Sequence, residues 1–188
     1  MTTVKQAESW EGFLELVLER LAHDLAGRST ALSGIRYLAA SGDGELEGVI
    51  AQEQSRLERM LDMLRAFPTG VDAITIQDPR MLIEPVISIA QWMLLAPRIE
   101  LTIEPGAPAI LGAAVPLQRA ALLALGTGAR ERGMLTVTLS QADGMLLVRV
   151  HVGEPGSAAV GEITAWAERG GGTAQVSDDA IDIMVPGV

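Results

Sequence analysis

Leu14, Leu18, Leu21, Leu25, Leu32, Ile35 and Ala39 recur at alternating four- and three-residue spacing, with Arg28 in the one slot that breaks the stripe. That period predicts a helix packed along a bundle seam. Ser41-Gly42-Asp43-Gly44 punctuates the chain as a short turn. A second helix follows, with Leu46, Ile50, Leu57, Met60, Leu64 and Phe67 on one stripe and Glu53 in the odd slot. A turn this short makes the two helices antiparallel neighbours. Two helices alone leave a wide apolar face uncovered, so the pattern predicts dimerisation into a four-helix bundle about a two-fold axis.

Pro68-Thr69-Gly70 ends the second helix, and the domain boundary is placed there, dividing the chain into 1–68 and 69–188. Beyond it the period changes from element to element. Met81 to Leu95 reads as a helix, and Ile99 to Glu104 alternates like a half-buried strand. Leu117 to Arg132 is helical, and Leu135 to Ser140 and Met145 to Val152 are strands joined at Ala142-Asp143-Gly144. Ala159 to Arg169 reads as a further helix broken by Gly170-Gly171-Gly172, and Gln175-Val176 and Ile181 to Val185 finish as strands. The class predicted is α+β, a helical hairpin followed by helices on one face of a mixed sheet.

Composition narrows the chemistry. The 188 residues carry a formal net charge of -10, which argues against nucleic acid and anionic membrane as partners. Hydrophobic residues make up 48% but aromatics only 3%, so the core must be aliphatic. Cys is 0 and His is 2, which removes disulfides, thiolate zinc sites, a cysteine nucleophile and histidine-built metal centres. Met1 to Trp10 lacks the pattern of a signal peptide, and the apolar stretch from Met81 to Pro97 is broken by Glu84, Pro85 and Gln91. These features predict a soluble cytoplasmic protein without a metal of its own.

On a helical wheel with Leu14 at zero and 100° per residue, His23 falls at about 180°, opposite the seam. Asp24 follows it directly and is placed to accept a hydrogen bond from the ring. Ala26 and Gly27 leave the ring unscreened, and Gly27 in mid-helix costs about 1 kcal/mol relative to alanine, a cost that clearance for a docking partner explains. Arg20, one turn back, offers a cation for a phosphoryl group or carboxylate. Neutral imidazole is nucleophilic at pH 7 and can carry a phosphoryl group. Ser29 and Thr30 have no neighbouring histidine to serve as base, and His151 lies in a strand of the other domain.

Leu21-Ala22-His23-Asp24-Leu25 resembles the phosphoacceptor motif of the dimerisation and histidine-phosphotransfer domain of bacterial sensor kinases, and the hairpin from about Phe13 to Phe67 is similar in length and layout. The resemblance implies His23 as phosphoacceptor and Asp24 as its acidic helper. Gly27 stands where the family carries a small polar side chain for phosphatase action. The second half resembles the ATP-binding domain of the same kinases. Leu123 to Glu131 is similar to the asparagine box, with Ala124 and Gly128 in place of its two asparagines. Neither replacement supplies a side-chain oxygen for Mg²⁺. Val148 to Gly156 is similar to the Asp-x-Gly-x-Gly box, with Val152 at the adenine-reading aspartate and Glu154 at the first glycine. Gly171 to Pro186 resembles the closing hairpin of that fold.

The resemblance therefore implies a degenerate kinase-type ATPase sandwich that binds no ATP, behind a phosphotransfer hairpin. The function expected is a histidine phosphotransferase, relaying a phosphoryl group between aspartates of response-regulator receiver domains. Mg²⁺ comes with the receiver. Arg20, Ala26, Gly27 and Thr30 are the expected docking residues. The alternative is a dimeric adaptor that sequesters a response regulator and transfers nothing. A true ATP-dependent kinase and an inhibitor of a sigma factor or kinase are weaker options.

Overall fold

A computed structural model describes residues 9–41, 46–70, 72–94, 98–128, 134–151, 157–177 and 179–188. The chain begins with helix α1 (Trp10–Ser41), 32 residues long, followed by α2 (Leu46–Ala66). Ser9 caps α1: its Oγ accepts a hydrogen bond from the Gly12 N–H at 3.0 Å. The turn at 42–45 lies outside the described residues.

Only the first two turns of α1 are buried. Trp10, Phe13 and Val17 are 8%, 2% and 5% exposed, and no described residue of α1 beyond Val17 is buried. At about 1.5 Å per residue the helix runs well past the part that anchors it. Along the helix the apolar stripe divides. Leu14, Leu21 and Ile35 are half-buried, whereas Leu18, Leu25 and Leu32 are 64%, 53% and 51% exposed. On α2, Met60 and Met63 turn inward while Ile50, Leu61 and Leu64 remain exposed. The residues in the two odd slots of the stripes meet each other. Arg28 Nη1 donates to Glu53 Oε2 at 2.7 Å, and Arg56 donates to the other carboxylate oxygen.

The second half contains β1 (Ile74–Gln77), α3 (Pro79–Leu94), β2 (Arg98–Ile103), β3 (Ile110–Ala113), α4 (Ala114–Gly128), β4 (Met134–Ala142), β5 (Met145–His151), α5 (Ser157–Arg169), β6 (Thr173–Val176) and β7 (Ala180–Pro186). Five strands form one mixed sheet in the order β2-β4-β5-β7-β6, with β2 parallel to β4 and the other pairs antiparallel. The β4–β5 turn carries positive φ at both Asp143 and Gly144, the geometry that a tight two-residue hairpin demands. Helices α3, α4 and α5 cover one face. Inward residues of the central strands, Val137, Leu139, Leu146, Val148, Val150, Ile181 and Ile183, bury against Leu122, Leu123 and Ile163. The fold is α+β, as the patterning predicts.

Two elements were not foreseen. β1 and β3 form a separate antiparallel ribbon, registered from Ile74↔Ala113 to Gln77↔Ile110. Each is four residues long, and Ile74 and Ile76 are 67% and 69% exposed, so neither strand offers the half-buried alternation that marks a strand in sequence.

The helices are joined to the sandwich by an aromatic cluster. Trp10 lies 5.4 Å from Phe13, 5.8 Å from Phe67 and 6.2 Å from Trp166, centroid to centroid. The Arg119 guanidinium sits 5.0 Å from the Trp10 ring and 4.6 Å from the Trp166 ring. It also donates to the Pro68 carbonyl from Nε at 3.3 Å and Nη2 at 3.2 Å. Burial pushes the Arg119 value downward, against the favourable charge of Asp72. Glu162 of α5 accepts from the Trp10 backbone N–H at 2.9 Å, so a carboxylate of the sandwich meets the positive end of α1.

Candidate functional site

His23 lies midway along α1 with its side chain 80% exposed. Helical phase places it there: the covered row and the exposed leucine row both lie on the other side of the helix. Its Nδ1 is 3.3 Å from Asp24 Oδ1. Because the carboxylate accepts, this contact favours the tautomer with the proton on Nδ1 and leaves the Nε2 lone pair facing solvent.

Asp24 is turned away from solvent, its side chain 14% exposed. Its second oxygen, Oδ2, lies 3.4 Å from Arg20 Nε, and the Arg20 side chain is 21% exposed. The Arg20 guanidinium in turn lies 5.9 Å from the ring centroid of Trp92 on α3. The three polar residues therefore run from open solvent at His23 inward to the junction between α1 and α3. Below that junction, Arg59, Asp62 and Met63 of α2 face Ser88, Gln91 and Trp92 of α3 across an open groove of about 700 Å³.

The other expected docking residues share the exposed side of α1. Ala26, Gly27 and Thr30 are all exposed. A Cβ built on Gly27 meets nothing within 4 Å, so the space beside the ring is open. Thr30 Oγ1 donates to the Ala26 carbonyl at 3.2 Å. Arg20 differs from these three because its side chain points to α3 instead of outward.

In the segment that resembles the asparagine box, Ala124 is fully buried in α4, and its carbonyl accepts from Thr127 Oγ1 at 2.8 Å. Gly128 is the last residue of that helix. Val152 and Glu154 lie outside the described residues. Among the described residues no three His, Asp or Glu side chains are grouped to hold a metal ion, and no helix is long and apolar enough to cross a membrane.

Trp92 is the residue of the site that sequence reasoning missed. It is 72 positions from Arg20 in the chain, and its aliphatic surroundings read only as core. The surviving local signal is the placement of Arg20 one turn before Asp24.

Among sequences, no protein-family model and no curated protein matches this chain. Among solved structures, a bacterial phosphotransferase solved at 1.7 Å aligns at 16% identity and a TM-score of 0.47, covering 94% of this chain and 96% of that one. A mycobacterial sensor histidine kinase, MprB, aligns at 19% identity and a TM-score of 0.48, covering 61% of this chain and 98% of its own. The Acinetobacter baumannii histidine kinase AdeS aligns at 15% identity and a TM-score of 0.51, covering 87% of this chain and 97% of that one. The architecture built from these helices and strands is thus a histidine-kinase-like fold.

Proposed function

We propose that the chain is a histidine phosphotransfer protein of a two-component phosphorelay. His23 Nε2 attacks the phosphorus of an aspartyl phosphate on one receiver domain. The P–N bond forms as the P–O bond to the aspartate breaks, and the receiver's carboxylate leaves. The positive charge gained by the ring is offset by the Asp24 carboxylate, which keeps the proton on Nδ1. The reverse step delivers the group to the aspartate of a second receiver. Such a transfer passes through a loose transition state, so positioning and charge neutralisation dominate. Mg²⁺ is supplied by the receiver.

The observation that carries the reading is the exposed His23 ring held at Nδ1 by Asp24, 3.3 Å away, on a helix face with open space at Gly27. No ATP is required in this reading, a part supported by the buried, oxygen-free side chain of Ala124 at the asparagine-box position. A second copy of the chain covers the exposed rows Leu18, Leu25, Leu32 on α1 and Ile50, Leu61, Leu64 on α2, completing a four-helix bundle. The domains are 1–68 and 69–188, and the protein works in the cytoplasm.

The test presents the full-length chain with phosphorylated receivers from its own genome. Acid-labile, base-stable phosphate is expected on wild type and absent from His23→Ala, with both sedimenting as dimers. Receiver binding that survives His23→Ala, with no phosphate on wild type, would establish a sequestering adaptor instead. Sustained autophosphorylation from labelled ATP would establish a kinase.

A further inference from the structure

We propose that Arg20 and Trp92 are positioning residues for His23, through which the sandwich orients the phosphoacceptor ring. The inference rests on the phosphotransfer reading and gives the sandwich a part in the chemistry, without a nucleotide.

Three contacts join in series. His23 Nδ1 meets Asp24 Oδ1 at 3.3 Å, Asp24 Oδ2 meets Arg20 Nε at 3.4 Å, and the Arg20 guanidinium lies 5.9 Å from the centre of the Trp92 ring. Helix stabilisation does not account for the Arg20–Asp24 pair. In an isolated helix the favoured order places the acid four residues before the base, and this pair runs the other way. Exposed pairs of this kind contribute little in any case. The pair here is largely withdrawn from solvent, which strengthens it and fixes both partners.

Arg20 Nε is buried and makes no aligned hydrogen bond of its own. The guanidinium is therefore held by the charge of Asp24 and the face of Trp92, and the ring defines where it lies. Trp92 belongs to α3 and packs against the main core, so its position is set by the sandwich. Asp24 has two carboxylate oxygens on a short side chain. With Oδ2 engaged by Arg20, Oδ1 stays directed at His23 Nδ1. Without Arg20 the carboxylate is free to rotate towards water, and the ring loses its bias towards the tautomer with a bare Nε2.

This assignment separates Arg20 from the docking residues. Its loss is expected to change the state of the ring, where loss of a docking contact changes receiver affinity.

The experiment uses full-length wild type, Arg20→Met, Trp92→Ala and Trp92→Phe, each checked for fold by circular dichroism. In the free proteins, ¹⁵N shifts of the His23 ring report the tautomer. Wild type and Trp92→Phe are expected to be mainly Nδ1-protonated, and Arg20→Met and Trp92→Ala to be mixed. With a phosphorylated receiver, Arg20→Met is expected to slow transfer about tenfold while receiver affinity holds. An unchanged tautomer in Arg20→Met would overturn the proposal, as would a loss confined to receiver affinity. Should Trp92→Ala fail to fold, Arg20→Met and Trp92→Phe decide alone. Should wild type accept no phosphate, the phosphotransfer reading fails, while the ring shifts still report whether Arg20 and Trp92 hold the imidazole.

Discussion

At the scale of single residues, the exposure of His23 follows from helical phase, a local property that sequence carries in full. The orientation of its ring does not. Asp24 is adjacent in sequence and legible, but Arg20 reads from the chain as an outward cation and is in fact turned inward to Trp92. Side-chain direction depends on what packs beside the helix, and that neighbour arrives from 72 residues away. Gly27 yields a test at this scale. Its φ does not lie in the left-handed region and its Cβ position is open, so alanine fits without strain. Gly27→Ala is expected to raise stability by about 1 kcal/mol in urea titrations, through helix propensity. In the proposed phosphotransfer function the same methyl group intrudes on the proposed docking face, so receiver binding is expected to weaken as stability rises.

At the scale of elements, the apolar period of α1 and α2 was legible because a seam repeats. Which rows of the seam are covered within one chain was not. Arg28 and Glu53 each look like a flaw in a stripe, and the structure pairs them at 2.7 Å. The hydrogen bond from Arg28 holds the Glu53 carboxyl below its ordinary value of 4.5, against the opposing effect of burial and with further help from Arg56. A carboxylate with a lowered folded value stabilises fully above its unfolded value and loses that contribution as pH falls through the folded one. Wild type is therefore expected to lose stability as pH drops below 4.5. Glu53→Gln is expected to flatten that part of the profile. Urea midpoints at about pH 6 and about pH 3.5 measure the difference. The β1–β3 ribbon escaped notice for the opposite reason. Four-residue strands, one with both isoleucines exposed and the other without alternating burial, carry too little period to be recognised, and pairing across the 32 residues between Gln77 and Ile110 places them.

At the scale of the whole molecule, the joint between helices and sandwich decides how His23 is presented. Trp10, Phe13, Phe67 and Trp166 converge from three separate parts of the chain around Arg119. Read in sequence, these are scattered core aromatics. In the folded chain they anchor the first turns of α1 and set where its free length points. Truncating a buried tryptophan leaves a cavity as well as lost transfer energy, so Trp10→Ala is expected to cost about 3–5 kcal/mol. The cost should appear in chemical denaturation together with earlier melting of α1 relative to the sheet. A single transition at the wild-type midpoint would show that the cluster does not hold the joint.

By itself the sequence determined the class of the fold, the hairpin-like pair of helices, the central strands with their Asp143-Gly144 turn, and the exposure of one histidine beside one aspartate. All of these rest on period, turn chemistry or adjacency, which act within a few residues. The tertiary structure decided which apolar rows stay open, that Arg28 meets Glu53, that Arg20 faces Trp92, and that Arg119 binds the two halves together. Each of those depends on contacts between distant segments, where packing and desolvation, not local propensity, choose the partner.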